Sequence, residues 1–229
     1  MQRTVIAIHQ PNYSPWLGYF HKIAKSDLFV FLDDVQFSKN SYINRVEVLS
    51  PGGRKWLTLP VSYSFGDPVH AVQPARANWI ESHLSTLKNY YRQAPFFKEM
   101  WPETEQIYHS VDADNLAEIN IQLIQGLCRI LELETPTVKA SSLNYDKGES
   151  DVRLVNIIKT LSDNASYLSG KGGQNYQSED LFESNNITLQ YSSFKAAPYN
   201  QGQSDFTPGL SVLDSLFHIG LQETKTMIK

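Results

Sequence analysis

The opening of the chain constrains the fold more than any later stretch. Thr4-Val5-Ile6-Ala7-Ile8 is a short, mostly β-branched run and reads as a buried strand. In His9-Gln10-Pro11-Asn12-Tyr13-Ser14-Pro15, two prolines and an asparagine exclude regular structure. Over 16–25, Leu17, Phe20, Ile23 and Ala24 recur at helical spacing, and Pro15 suits the first helical turn. Leu28-Phe29-Val30-Phe31-Leu32 is a second buried strand, ending in Asp33-Asp34. Strand, helix and strand over about 30 residues make a βαβ unit, with parallel strands and a right-handed crossover. A chain that opens this way is directed to an α/β sheet with helices on its faces.

The later segments extend that plan. Asn44-Arg45-Val46-Glu47-Val48-Leu49 and Lys55-Trp56-Leu57-Thr58-Leu59-Pro60-Val61 flank Ser50-Pro51-Gly52-Gly53 and read as a β-hairpin. Residues 64–77 are irregular. Residues 78–131 are mostly helical, with interruptions expected near Pro95 and Pro102. Leu116, Ile119, Leu123, Leu127 and Ile130 form the clearest apolar stripe there. Strands are expected at 135–143, 167–170 and 187–191, and helices at 152–161, 178–182 (capped by Ser178) and 210–220. The expected architecture is one Rossmann-like α/β domain over 1–229, three-layered with a mostly parallel sheet. A hairpin and helices are inserted at about 40–131.

Composition removes several classes of function. A chain of 229 residues buries roughly 70% of its unfolded surface and needs no covalent staple. The single cysteine, Cys128, excludes a disulfide framework and a thiolate metal cluster. No apolar run approaches the ~20 residues of a membrane span. Met1-Gln2-Arg3-Thr4 lacks a signal-peptide layout, which points to the cytoplasm. A net charge of −4 argues against nucleic-acid binding by bulk charge.

In open parallel sheets, ligands sit at the carboxyl ends of the strands. His9 and Gln10 end the first predicted strand; Asp33, Asp34 and Gln36 end the second. Ser141 and Ser142 end the third, and Ser169-Gly170-Lys171-Gly172-Gly173 the fourth. Packing alone does not require such regular polar endings, so their convergence marks a candidate site. A His at a strand end is more often a hydrogen-bonded turn residue than a catalyst, but His9 also suits a general base near neutral pH. Asp33 is the second candidate base, if its pKa is raised. Adjacent strand residues point to opposite sides, so only one of Asp33 and Asp34 should enter the cleft, there to hold an amine or a ribose hydroxyl. Trp16 and Tyr19, three apart, form either a stacking wall or core; Tyr13 is a further ring and Asn12 a further polar group in the same loop. Lys171 with the glycines around it either cradles phosphate through backbone amides or makes a flexible turn; it is not a Walker loop. Arg45, preceded by Asn44, either clamps an anion or pairs with Asp34. No acidic or histidine cluster has ligand spacing, so no metal site is expected. There is no nucleophile elbow, and Cys128 falls on a helix stripe as a small hydrophobe.

These residues are also familiar as a set. His9-Gln10-Pro11-Asn12-Tyr13-Ser14-Pro15-Trp16-Leu17-Gly18-Tyr19-Phe20 and Phe31-Leu32-Asp33-Asp34-Val35-Gln36-Phe37 resemble the WbqC-like protein family. So do Asn44-Arg45, Trp56-Leu57-Thr58-Leu59-Pro60-Val61, Tyr167-Leu168-Ser169-Gly170 and Leu210-Ser211-Val212-Leu213-Asp214-Ser215-Leu216-Phe217. The resemblance implies a bacterial cytoplasmic enzyme of O-antigen and lipopolysaccharide synthesis, acting on a nucleotide-activated sugar. It implies amide formation: an amino acid, glycine foremost, moved onto the amine of a deoxy-amino sugar, from a charged tRNA or from an adenylate made with ATP and Mg²⁺. A charged tRNA would require a basic stripe, and Lys22, Lys25, Lys39, Arg45, Arg54 and Lys55 are the available concentration.

A second similarity is architectural. The strand, Pro-rich loop and helix opening Trp16-Leu17-Gly18-Tyr19 look like the start of HIGH-motif nucleotidyltransferases and pantothenate synthetases. By that likeness Gly18 holds the small position where the helix approaches a nucleotide. Trp16 and Tyr19 stand where that group carries histidines, and neither supplies the positive charge that adenylyl transfer needs. Lys22, Arg45 and Lys171 are the candidates to compensate. The rival readings are therefore an adenylate-forming ligase or nucleotidyltransferase, and a non-catalytic nucleotide-sugar binder.

Overall fold

The computed structural model describes residues 3–229; Met1 and Gln2, which begin the expected leader-free opening, lie outside the described residues. In chain order its first half contains β1 (Thr4–His9), α1 (Leu17–Ala24), β2 (Leu28–Phe31), β3 (Arg45–Ser50), β4 (Gly53–Thr58), β5 (Val61–Ser62), β6 (Gln73–Pro74), α2 (Trp79–Tyr91) and α3 (Phe97–His109). The second half contains α4 (Leu116–Ile130), β7 (Thr137–Lys139), α5 (Ser150–Leu161), β8 (Ala165–Ser169), α6 (Glu179–Ser184), β9 (Thr188–Tyr191) and α7 (Val212–Ile228).

The β-branched and aromatic runs pair as one five-stranded sheet, ordered β7-β2-β1-β8-β9, with every pairing parallel. In sequence order of the five strands this is third, second, first, fourth, fifth, so the order reverses between β1 and β8. The period-2 alternation of strand side chains sorts the sheet's two faces. Ala7, Phe29, Phe31 and Leu168 join the core built with α1, α2, α3, α4, α7 and the hairpin β3–β4. Ile6, Ile8, Val30 and Tyr167 join the core under α5 and α6. The result is the expected three-layered α/β sheet, carrying two small antiparallel pairs, β3–β4 and β5–β6.

Several local expectations need correction. Pro102 does not interrupt α3 but lies inside it. The carbonyl its missing N–H leaves free is that of Lys98, which is exposed, so water can satisfy it. Pro95 does fall in a break, between α2 and α3. Ser178 precedes α6 without a side-chain cap; its backbone N–H instead donates to Asp151 Oδ2 at 2.8 Å. β7 is shorter than 135–143, because the chain turns into a 3-10 segment at Ala140–Ser142. The last helix runs to Ile228, bending at Gly220, where φ is +77°. Among the described residues no helix is long and apolar enough to cross a membrane.

Candidate functional site

The strand order reverses between β1 and β8, the position at which open α/β sheets leave a crevice beyond the carboxyl ends. A cleft of about 80 Å³ opens there. β1 contributes His9, and α1 with its cap contributes Trp16, Gly18, Tyr19 and Lys22. Gly170 and Lys171 follow β8, and Ser192 and Phe194 follow β9.

Two nitrogens define its chemistry. His9 Nδ1 lies 3.0 Å from the Gln10 carbonyl. A carbonyl only accepts, so Nδ1 holds the proton and Nε2 keeps its lone pair. Burial, then the nearby Lys22 charge, lowers the imidazole pKa to about 3, so His9 is neutral throughout the physiological range. It is therefore a far weaker base than its type suggests. Lys22, from the inward face of α1, is 4% exposed and donates to the Ile8 carbonyl at 2.8 Å. Burial lowers its pKa to about 7. Burial leads both shifts; the Lys22 charge adds to that of His9, whereas Lys22 is lowered by burial alone.

Aromatic rings wall the cleft. Tyr19 packs edge-on to His9, with centroids 4.9 Å apart, and its hydroxyl donates to the Gln10 carbonyl at 3.0 Å. It is thus buried core, whereas Trp16 and Phe194 are partly exposed. The Trp16 indole lies across Gly18: a Cβ at Gly18 would sit 2.3–2.7 Å from ring atoms. Gly18 is small because Trp16 lies over it. The ring's edge meets Phe194, with centroids 5.6 Å apart.

The other sequence candidates divide. Asp33 and Asp34 do not line this cleft. Asp33 accepts from the Ser141 backbone N–H at 2.9 Å and its hydroxyl at 2.5 Å, which turns the chain after β7. Asp34 accepts from the Tyr145 hydroxyl at 2.8 Å and pairs with Lys147 at 3.3 Å. Both carboxylates are buried and both anchor the 140–147 segment, so neither enters this cleft to hold an amine or a ribose hydroxyl. Tyr13 is fully buried on the insertion side, hydrogen-bonded to His83 Nδ1 at 2.5 Å, and is no stacking ring. Arg45 does not pair with Asp34; its guanidinium lies 4.0 Å from the Trp56 ring centroid. Buried Asn44 donates to the Leu59 carbonyl at 3.3 Å, and Asn12 is buried in its loop. Gln36 is exposed and bridges to Pro68. Of the basic residues that a charged tRNA would call on, Lys22 is buried and Arg54 pairs with Glu47 at 3.0 Å, while Lys25, Lys39 and Lys55 are exposed.

The Gly170–Gly173 segment opens a short 3-10 turn, with the Gly173 N–H donating to the Gly170 carbonyl at 2.9 Å. Gly170 and Gly172 face open space, whereas a Cβ at Gly173 would fall 2.4 Å from Ser169 Oγ. So Gly173 and Ser169 form the packed base of the turn, and Gly170, Lys171 and Gly172 its accessible rim. Cys128 is core, its thiol pushed up to about 12 by burial. Among the described residues no three His, Cys, Asp or Glu side chains gather as a metal site.

The profile of the WbqC-like protein family matches residues 10–226. The chain belongs to the WbqC-like protein family. An uncharacterized protein of Mycobacterium tuberculosis (strain ATCC 25618 / H37Rv) is 29% identical over 220 residues, covering 95% of this chain and 94% of its own. In this WbqC-like chain the cleft unites His9, Trp16, Tyr19, Gly170 and Lys171 from the sequence candidates. Ser192 and Phe194 were missed because the segment after β9 carries no periodic pattern. Lys22 read only as a compensating charge or as part of a basic face. The available signal was its place four residues after Gly18, on the helix face that approaches the strand end.

Proposed function

We propose that this protein is a cytoplasmic transferase that forms an amide on the amine of a nucleotide-activated deoxy-amino sugar, with glycine the foremost transferred group. The observation that carries this reading is the pair of nitrogens, Lys22 Nζ and His9 Nε2, in a cleft at the switch point of the sheet. An attacking ammonium must first lose a proton. Lys22, with a pKa of about 7, is able to take it near neutrality. His9, neutral, offers an acceptor that orients the attacking N–H. The sugar nitrogen then bonds to the acyl carbon while the donor's C–O bond breaks, Lys22 returns its proton to the leaving oxygen, and the second proton that the nitrogen sheds on becoming an amide passes to water. A cleft of about 80 Å³ admits the amine end of a sugar, with the diphosphate along the rim at Gly170, Lys171 and Gly172. Asp33 supports the site as an anchor rather than as a base. The sugar nucleotide itself is suggested by family membership.

Adenylate formation by the protein itself is less well supported, because the Trp16 indole fills the space over Gly18 that a nucleotide would approach. The deciding experiment supplies nucleotide-linked amino sugars with either glycyl-tRNA or glycine, ATP and Mg²⁺. Product mass and pyrophosphate are followed, beside thermal shifts for each nucleotide sugar. A ligand at ~100-fold over its Kd adds about 2.7 kcal/mol, readily seen as a melting shift. Aminoacylated sugar from the tRNA donor without pyrophosphate supports the proposal. ATP-dependent pyrophosphate release would replace it with the ligase reading, and binding without turnover with a nucleotide-sugar binder. No shift with any nucleotide sugar overturns it.

A further inference from the structure

The segment 210–217 has no part in the chemistry above, yet α7 begins with polar groups buried at 1% exposure or less: Ser211, Asp214 and Ser215. The two serines have local explanations. Ser211 donates to the Ser14 carbonyl at 2.8 Å and caps the helix; Ser215 donates back to the Val212 carbonyl at 2.8 Å. Asp214 does not. Its carboxylate is fully buried, and Oδ2 accepts from the Tyr199 hydroxyl at 2.6 Å and from Gln201 Nε2 at 2.8 Å. Oδ1 faces His218 Nδ1, one turn along the helix, at 3.4 Å. The same Nδ1 donates to the Asp214 carbonyl at 2.9 Å. A carboxylate and a carbonyl together fix a proton on Nδ1, which leaves Nε2 as the nitrogen that the helix does not engage.

His218 opens onto a cleft of about 340 Å³ between the hairpin turn, the end of α2 and the 201–203 loop. The lining includes Ser50, Tyr90, Gln93 and Gln203 and contains no Asp, Glu, Lys or Arg, so His218 is the one lining group able to take a positive charge. Asp214 raises the imidazole pKa against the effect of burial, which favours the charged form. Gln93 is exposed and Tyr90 half-buried at the mouth, placing an amide and a phenol where an uncharged remainder could bond. A volume of this order accommodates a small ligand.

We propose that this cleft is a second ligand site that takes the oxyanion of a compact, otherwise uncharged molecule, a carboxylate or a phosphate, on His218 Nε2–H, with Asp214 positioning the ring from behind. The charge-assisted bond is the strong element of recognition; no acidic group lines the cleft, and the Asp214 carboxylate, which opposes the anion, lies behind the imidazole ring. This site is independent of the reaction proposed at the switch-point cleft.

Nitrogen-15 NMR of histidine-labelled protein tests it, with His218 assigned through His218→Gln and with acetate and inorganic phosphate as separate probes. We expect one probe to move the His218 Nε2 resonance with a Kd of about 1 mM or tighter, and the anion that does so identifies the source. His218→Gln and the surface variant Gln93→Ala should each weaken binding, the former at least about 10-fold. Failure of both anions to move the resonance at about 20 mM overturns the site. So does binding that both variants leave unchanged. Because Gln93 is exposed, its replacement tests the site even if His218→Gln disturbs the fold.

Discussion

Burying the Lys22 ammonium gives the protein a pH signature. Its folded pKa of about 7 lies below the ordinary 10.5, so between these values the unfolded chain binds more protons than the native one. Stability contributed by this group therefore rises with pH from about 7 toward 10.5, and is lowest at and below 7. Lys22→Met should raise stability at pH 7 by up to about 4 kcal/mol, at about 1.36 kcal/mol for each tenfold change in proton affinity, less about 1–3 kcal/mol for the orphaned Ile8 carbonyl. Urea titrations across pH 6–10 would show the wild-type rise flattened in the variant. The same replacement should abolish turnover if Lys22 takes the proton, and in the wild type kcat/KM should climb through pH 7. A profile flat from pH 6 to 8 would remove Lys22 from that role. Gly18→Ala sets a Cβ 2.3–2.7 Å from the Trp16 ring. The overpacking should cost about 1–3 kcal/mol, and displacement of the indole should be visible in tryptophan emission.

At the level of elements, Asp33 ties β2 to the chain leaving β7 by accepting two hydrogen bonds from Ser141. Asp33→Asn keeps one acceptor and places an NH₂ against a donor, so a loss of about 1–3 kcal/mol is expected. Amide exchange should accelerate in 140–147 while the β1 amides stay protected. The elements themselves were legible in the sequence. Strands rich in Ile, Val and Phe and the stripe from Leu116 to Ile130 declare their own periodicity, because each needs only local neighbours. Pro102 misleads because the residue whose carbonyl it orphans, Lys98, is exposed to water, so the lost hydrogen bond is replaced and the helix continues past the ring. The site was half legible. His9 and Gly170 mark strand ends by type, but the weak basicity of His9 and the activation of Lys22 come from burial by chain segments far away. No window of sequence contains that burial. For the same reason Asp33 looked like a catalyst, since its Ser141 partner lies 108 residues on.

For the whole molecule, acid is the vulnerable direction. His9 and His83 have pKa values held to about 3 and about 4, His83 chiefly by burial. Both are neutral in the native protein and protonated once unfolded below pH 6.5. Stability should therefore fall as pH drops from 6.5 to 4, with unfolding taking up about two protons, near 2.7 kcal/mol per pH unit at its steepest. Urea midpoints at successive pH values measure that slope, and His83→Gln should reduce it by about half. His218 acts in the opposite sense. Its raised pKa contributes stability below 6.5 that is lost as pH climbs through the folded value, outside this window.

The sheet order has a consequence for how the chain is made. β1 finds one neighbour, β2, within some two dozen residues, but pairs Ile6 with Tyr167 on its other edge. At about 5–20 residues per second a ribosome takes roughly 10–30 s to deliver β8. For that interval β1, with its Val, Ile and Ala side chains, presents an open edge, the geometry that invites pairing between chains. Yield during synthesis should therefore depend on translation speed and on whatever covers β1 meanwhile, more than on the stability of the finished protein.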